Sequence, residues 1–357
     1  MISLLKSIYR ERQQHRRDQA IDNYFNQESG PAYDTLIRQM PDRALSSGQI
    51  RLIEEYAADT FGSITFARWL KVYTASRGEF LEGWMPMDYW CRIVCQTLNK
   101  GLQPLGRIKT MTQKFLNTDA LPDLAYRVNG SWLLANGETT SPEKLQQSLF
   151  DAYPFIFLKI DHSGQGLGVQ KVDRERFISL DFRQLGDFVL QAPIEQHDFF
   201  ERISPGSVAC LRVTTMKTSL SPAKTMQSGI RLGLQGSHFI NYHCVVMPIW
   251  LEEGRLYDIG YRKTWEIIDR HPDTGVSFAG LIIPKFQEMK AFCERLHDQN
   301  PHFGIIAWDV VLDRHNQIKL MEWNTTSPVF EMSEASTGPH FVGLGLENLW
   351  KKKNPGK

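Results

Sequence analysis

Gly304-Ile-Ile-Ala-Trp-Asp-Val-Val-Leu312, the turn Asp313-Arg-His-Asn-Gln317 and Ile318-Lys-Leu-Met-Glu-Trp-Asn324 read as one hairpin, two apolar runs closed by polar turn residues. Side chains alternate along a strand. Ile318, Leu320, Glu322 and Asn324 are therefore expected on one face, and Lys319, Met321 and Trp323 on the other. Closing the turn brings Asp309 opposite residue 321 or 322, with facing Cβ atoms about 5 Å apart. Two carboxylates and an amide oxygen then converge. That set suits a hard, oxygen-loving cation such as Mg²⁺, and it equally suits a polar hairpin end.

Outward from this hairpin, the chain from about residue 120 is a series of short β-rich runs broken by glycine and turn residues, which predicts an α+β fold with antiparallel pairing. Phe155–Ile160 and Gly168–Val172 read as strands joined by Asp161-His-Ser-Gly-Gln-Gly-Leu167, and Phe188–Gln191 and Val208–Thr215 as two more. Lys159 stands just ahead of Ser163-Gly-Gln-Gly-Leu-Gly168. Glycines let a backbone approach an anion closely and a nearby ammonium adds charge, which suits nucleotide phosphates; a flexible surface hairpin gives the same pattern. Arg212 lies in an apolar strand and needs an anionic partner, either a phosphate or a structural carboxylate.

The first hundred residues read as helical, with periodic stretches at Ile50–Ala58 and Met87–Leu98. Residues 1–20 combine an apolar stripe with a local excess of Lys and Arg. Packing on the chain's own body is the favoured reading of that stripe, and peripheral contact with an anionic membrane is the other. The 357 residues carry 41 basic and 40 acidic side chains, a net charge of +1, which argues against a nucleic-acid binder. No apolar run is long enough to span a bilayer. The cysteines, Cys91, Cys95, Cys210, Cys244 and Cys293, form no CxxC pair and sit in apolar segments, which predicts reduced core thiols in a cytoplasmic protein. No G-x-S-x-G nucleophile motif is present.

A Lys before a glycine-rich hairpin, a strand entering a hinge, a strand Arg, then an Asp ahead of Glu-x-Asn: this order resembles the ATP-grasp superfamily. Leu190-Gln191, Ser204-Pro-Gly-Ser-Val208, Leu211-Arg212-Val213, His271-Pro-Asp-Thr-Gly275, Ile283-Pro284, Trp308-Asp309 and Glu322-x-Asn324 resemble its sugar-transfer-associated branch, found with polysaccharide biosynthesis genes. The resemblance, over roughly residues 85–345, implies an ATP-grasp fold, two α+β lobes clasping ATP, at 105–191 and 192–347; the helical pattern of the start sets a separate region at 1–104, and a basic tail lies at 348–357. It implies that Lys159 meets the α and β phosphates and that Ser163, Gly164, Gly166 and Gly168 close over the β and γ phosphates. Lys109 looks like an earlier phosphate contact, with Lys114 its rival. Gln191, Ala192 and Ile194 would line the adenine, and Glu195 or His197 would approach the ribose.

In the same resemblance Arg212 faces the γ-phosphate or an acyl phosphate, acting catalytically with Lys159, while Asp309, Glu322 and Asn324 hold Mg²⁺. The activity implied is an ADP-forming carboxylate–amine ligase in polysaccharide or sugar-conjugate biosynthesis, taking ATP, a carboxylate and an amine or sugar acceptor. The alternatives on the same frame are a small-molecule or sugar kinase and a non-catalytic nucleotide-binding partner of a glycosyltransferase.

Overall fold

The computed structural model describes residues 25–353 except 165, 219–220, 238, 241–242, 327 and 329–330. The basic segment 1–20 and the end of the tail lie outside them. The first described part is helical, as expected: α1 over 25–39, α2 Ser47–Phe61, α3 Ala67–Arg77, then α4 Met87–Tyr89 continuing through a π-helical turn Trp90–Val94 into α5 Cys95–Leu98. Ser46 and Gln49 close a capping box at the start of α2, satisfying amides that the first turn leaves free, and Gly62 ends the helix in the left-handed region. Tyr73, Trp84, Tyr89 and Trp90 are fully buried in the core these helices build.

After α6 Lys109–Leu116 comes the first sheet: β1 Asp123–Val128, β2 Ser131–Leu134, α7 Pro142–Ala152, β3 Ile156–Ile160, β4 Val169–Val172, α8 Arg174–Ser179 and β5 Phe188–Gln191. Its order is β2-β1-β5-β3-β4, with every pairing antiparallel. Ile156, Leu158, Phe188 and Leu190 share a core with Leu145 and Leu149 of α7 and Phe177 of α8. The period-2 alternation therefore turns Lys159 and Gln191 to the other face.

Beyond α9 Asp198–Ile203 the second sheet is made of β6 Cys210–Met216, β7 Lys224–Gly233, β8 Cys244–Trp250, β9 Arg255–Leu256, β10 Gly260–Arg262, β11 Ile267–Ile268, β12 Ile305–Leu312 and β13 Ile318–Asn324. The order is β11-β10-β8-β7-β6-β12-β13, with β9 on β8. Helix α10 Phe286–Gln299 covers one face, where Leu211, Val213, Ile230, Leu232, Trp308 and Val310 meet Met289 and Cys293. Arg212, Arg231 and Asp309 consequently point from the opposite face. Farther along that face Met216, Tyr261 and Ile305 join the core of the N-terminal helices, together with residues of α11 Glu331–Thr337 and α12 Leu349–Lys353. The helical region thus packs on the same side of the second sheet that carries its charged residues.

All five cysteines are free and buried. Among the described residues no helix is long and apolar enough to cross a membrane.

Candidate active site

The hairpin β12–β13 pairs as the sequence expects, with Asp309 opposite Glu322, but the face assignment needs one correction. The register slips between Asp309 and Val310, whose partners are Glu322 and Leu320, so Met321 is an extra residue in β13. A bulge of this kind breaks the alternation. Leu320 and Trp323 both enter the core under α10, and Leu320 no longer shares a face with Glu322. The bulge leaves Glu322 and Asn324 beside Asp309: the Asn324 amide nitrogen lies 3.3 Å from Asp309 Oδ2 and 3.5 Å from Glu322 Oε1.

The partner of Arg212 is the carboxylate of Asp309. Nε donates to Oδ1 at 2.8 Å and Nη2 to Oδ2 at 2.6 Å, a two-pronged pair that is almost wholly buried. Arg231 Nη1 stands 3.9 Å from the same Oδ2. From the first sheet, buried Lys159 reaches across to donate to the Met321 carbonyl at 3.5 Å. The ammonium on β3 and the acidic tip of β12–β13 therefore meet where the two sheets come together.

The charges at this junction perturb one another. Burial raises the Asp309 carboxyl, but the Arg212 guanidinium and its hydrogen bonds prevail and hold it below the ordinary range. Burial, and next the Asp309 charge, push Glu322 up, although Lys159 and Arg212 draw it down. Lys159 is pushed down by burial against the attraction of Glu322, Asp123 and Asp309. Two carboxylates forced together, Asp309 buried and Glu322 half-buried, make a place for a cation. Half a turn of the Asn324 amide would aim its oxygen where its nitrogen now meets both acids. The oxygen donor set fits a hard divalent ion. Among the described residues no three His, Cys, Asp or Glu side chains cluster as a metal site, and the third donor here is an amide.

Lys109 opens α6, a placement that opposes the helix dipole. Its ammonium donates to Ser163 O at 2.9 Å and lies 3.2 Å from Ser163 Oγ, tying the helix to the start of the glycine-rich loop. Burial pushes it down, while Glu322 and Asp161 pull it up. Asp161 compensates the helix end by accepting from Thr110 N at 3.0 Å and Thr110 Oγ1 at 2.6 Å. In the loop, a side chain at Gly168 would run into Ser163. Gly166 holds φ at +79°, and a Cβ there would come within 3.1 Å of Phe239 Cε2, so the loop rests against the connection between β7 and β8. Gly164 has open space around it. Lys114 lies farther along α6, in its last turn.

The hinge after β5 has other engagements. Gln191 Nε2 donates to Asp123 Oδ1 at 2.6 Å, and the Ala192 amide to Pro122 O at 2.8 Å. Ile194 is half-buried. Exposed Glu195 pairs with Arg314 Nη1 at 2.6 Å, and His197 caps α9 by accepting from Phe199 N through Nδ1 at 3.0 Å. Sequence reasoning passed over Asp123, Asp161 and Arg231. Each is a lone charge in an apolar or turn segment, with no spacing to mark it.

Residues 179–340 match the family model described as "Sugar-transfer associated ATP-grasp". No curated protein matches the chain. Among solved structures, D-alanyl-alanine synthetase A from Vibrio cholerae O1 biovar eltor aligns with TM-score 0.40 and 15% identity over 67% of this chain and 62% of its own. Biotin carboxylase from Campylobacter jejuni aligns with TM-score 0.42 and 11% identity over 70% and 47%. The ATP-grasp ligase PsnB aligns with TM-score 0.41 and 10% identity over 72% and 63%. The chain spans less than two thirds of the length of each of these three structures.

Proposed function

We propose, from the match of residues 179–340 to the sugar-transfer associated ATP-grasp family, that this chain is an ATP- and Mg²⁺-dependent carboxylate–amine ligase acting in polysaccharide or sugar-conjugate assembly. The observation that carries the proposal is the meeting of Lys159 from one sheet with Arg212, Asp309, Glu322 and Asn324 from the other. In the reaction a substrate carboxylate oxygen attacks the γ-phosphorus of ATP, the bond to the β,γ-bridging oxygen breaks, and ADP leaves. An amine nitrogen then attacks the acyl carbon of the acyl phosphate. The carbon–oxygen bond to phosphate breaks, phosphate departs, and the nitrogen gives its proton to solvent. Phosphoryl transfer asks the protein mainly for positioning and charge stabilisation.

Lys159 and Lys109 hold phosphate oxygens, with Ser163, Gly164, Gly166 and Gly168 closing over them and Gln191, Ala192 and Ile194 lining the base. Glu195 or His197 approaches the ribose. Asp309, Glu322 and Asn324 hold Mg²⁺, which supplies positive charge against the phosphate oxygens. Arg212 faces the transferred group, its fork already ordered by Asp309. The family's association with sugar transfer supports the pathway class. The test is ADP release by the full chain over a panel of amino acids and sugar acids with hydroxylamine present. ATP-dependent hydroxamate is expected. ADP release with a phosphorylated alcohol and no hydroxamate would make the protein a kinase.

A further inference from the structure

On the face of the second sheet that carries Arg212 and Asp309, a small cleft of about 30 Å³ opens between Arg212, Arg231, Lys263, Glu331 and Ser333. Strand alternation sets its floor, because Ile230 and Leu232 point into the core under α10 and leave Gly229 and Arg231 on this side. Helix α11 forms a wall close to the strand: a Cβ on Gly229 would lie 3.4 Å from Ser333 Oγ. The volume suits the head of a small ligand, displacing about two waters.

The polar groups of this cleft are incompletely matched. Arg212 is held by Asp309, but among the described residues Arg231 has only the 3.9 Å approach to that carboxylate. Lys263 Nζ stands 4.0 Å from Glu331 Oε1, beyond hydrogen-bond reach, and Glu331 Oε2 is buried with no hydrogen-bond partner among the described residues. Buried oxygens are rarely left so, and each such case calls for an unseen partner. Burial lowers Lys263 and Arg231 lowers it further, against the pull of Glu331. With Arg212 taken up by Asp309, the cleft is left with two under-paired cations, Arg231 and Lys263, beside one carboxylate with an unfilled oxygen, Glu331. The cations want an acceptor and the open oxygen wants a donor, and a ligand carrying a carboxylate and an ammonium supplies both.

We propose that this cleft binds the head of an amino acid, its carboxylate between Arg231 and Lys263 and its ammonium on Glu331. The inference rests on the ligase reading, because it places the acid to be activated beside Asp309.

The test is calorimetric binding of the twenty common amino acids and their D-enantiomers to the full chain, with and without ATP·Mg²⁺. At least one amino acid should saturate the protein. Its N-acetyl and amide derivatives should bind at least tenfold more weakly, since each lacks one charge. K263M and E331Q should lose at least tenfold in amino-acid affinity while their ATP·Mg²⁺ affinity stays within twofold, which also reports that they are folded. Binding of ATP·Mg²⁺ with no amino acid bound, equal binding of the N-acetyl derivative, or unchanged binding by both variants would overturn the proposal. Failure of the wild type to bind ATP·Mg²⁺ would instead overturn the ligase reading beneath it.

Discussion

Replacing Glu322 by Gln should stabilise the protein while removing its activity. The carboxyl is pushed up on balance, after the attractions of Lys159 and Arg212 are counted, so its ionisation opposes folding. The amide keeps the shape and ends the repulsion with Asp309. A residue held in a strained functional setting of this kind typically gives back about 0.5–2 kcal/mol when neutralised, a midpoint rise of a few degrees. The sign follows from linkage. A carboxyl whose folded value lies above its unfolded value favours the native state at acid pH, and that contribution is lost as pH rises through the folded value. The gain from E322Q should thus be smaller at pH 4 than at pH 8. Turnover should fall about 10²–10³-fold, as when a preorganised electrostatic partner is removed. Urea unfolding at both pH values, with ADP release at pH 8, reads all three. An E322Q protein less stable at pH 8, or one that turns over normally, would refute the reasoning.

Other perturbations separate structural from chemical roles. Asp309→Ala strands the buried Arg212 guanidinium and should cost about 3–5 kcal/mol in urea unfolding, and a loss under 1 kcal/mol would mean that Arg212 has another counter-charge. Lys159→Met should raise the calorimetric Kd for ATP·Mg²⁺ at least tenfold with no loss of stability, because burial already disfavours the ammonium; an unchanged Kd would remove Lys159 from the phosphate site. Gly168→Ala drives a methyl into Ser163 and should raise the KM for ATP about tenfold with unchanged circular dichroism. Glu334, buried in the helical core and pushed up to about 8, favours the fold at acid pH and loses that contribution as pH rises through 8, so thermal midpoints should fall between pH 6 and 9 in the wild type and less in E334Q.

The β12–β13 hairpin was legible because its periodicity, its turn and its acidic tip all lie within one short segment. Its bounds in β13 and the pairing of Asp309 with Glu322 agree with the reading. The bulge at Met321 was not legible, since alternation carries no mark where one residue is inserted, and only the burial of both Leu320 and Trp323 reveals it. Lys159 was legible from the glycines that follow it. Arg231, Lys263 and Glu331 were hidden: they come from β7, from just past β10 and from α11, and only the sheet order brings them together. For the same reason the seat of the N-terminal helices on the second sheet could not be read from their own periodicity, which gives a buried stripe but not what covers it.

The central claim is that a carboxylate oxygen attacks the γ-phosphorus at this site. Labelling both carboxylate oxygens of a turned-over acid with ¹⁸O and weighing the inorganic phosphate released tests it directly. One labelled oxygen should leave with the phosphate, raising its mass by two units. Phosphate free of label, with both heavy oxygens kept in the acid or its product, would contradict carboxylate activation.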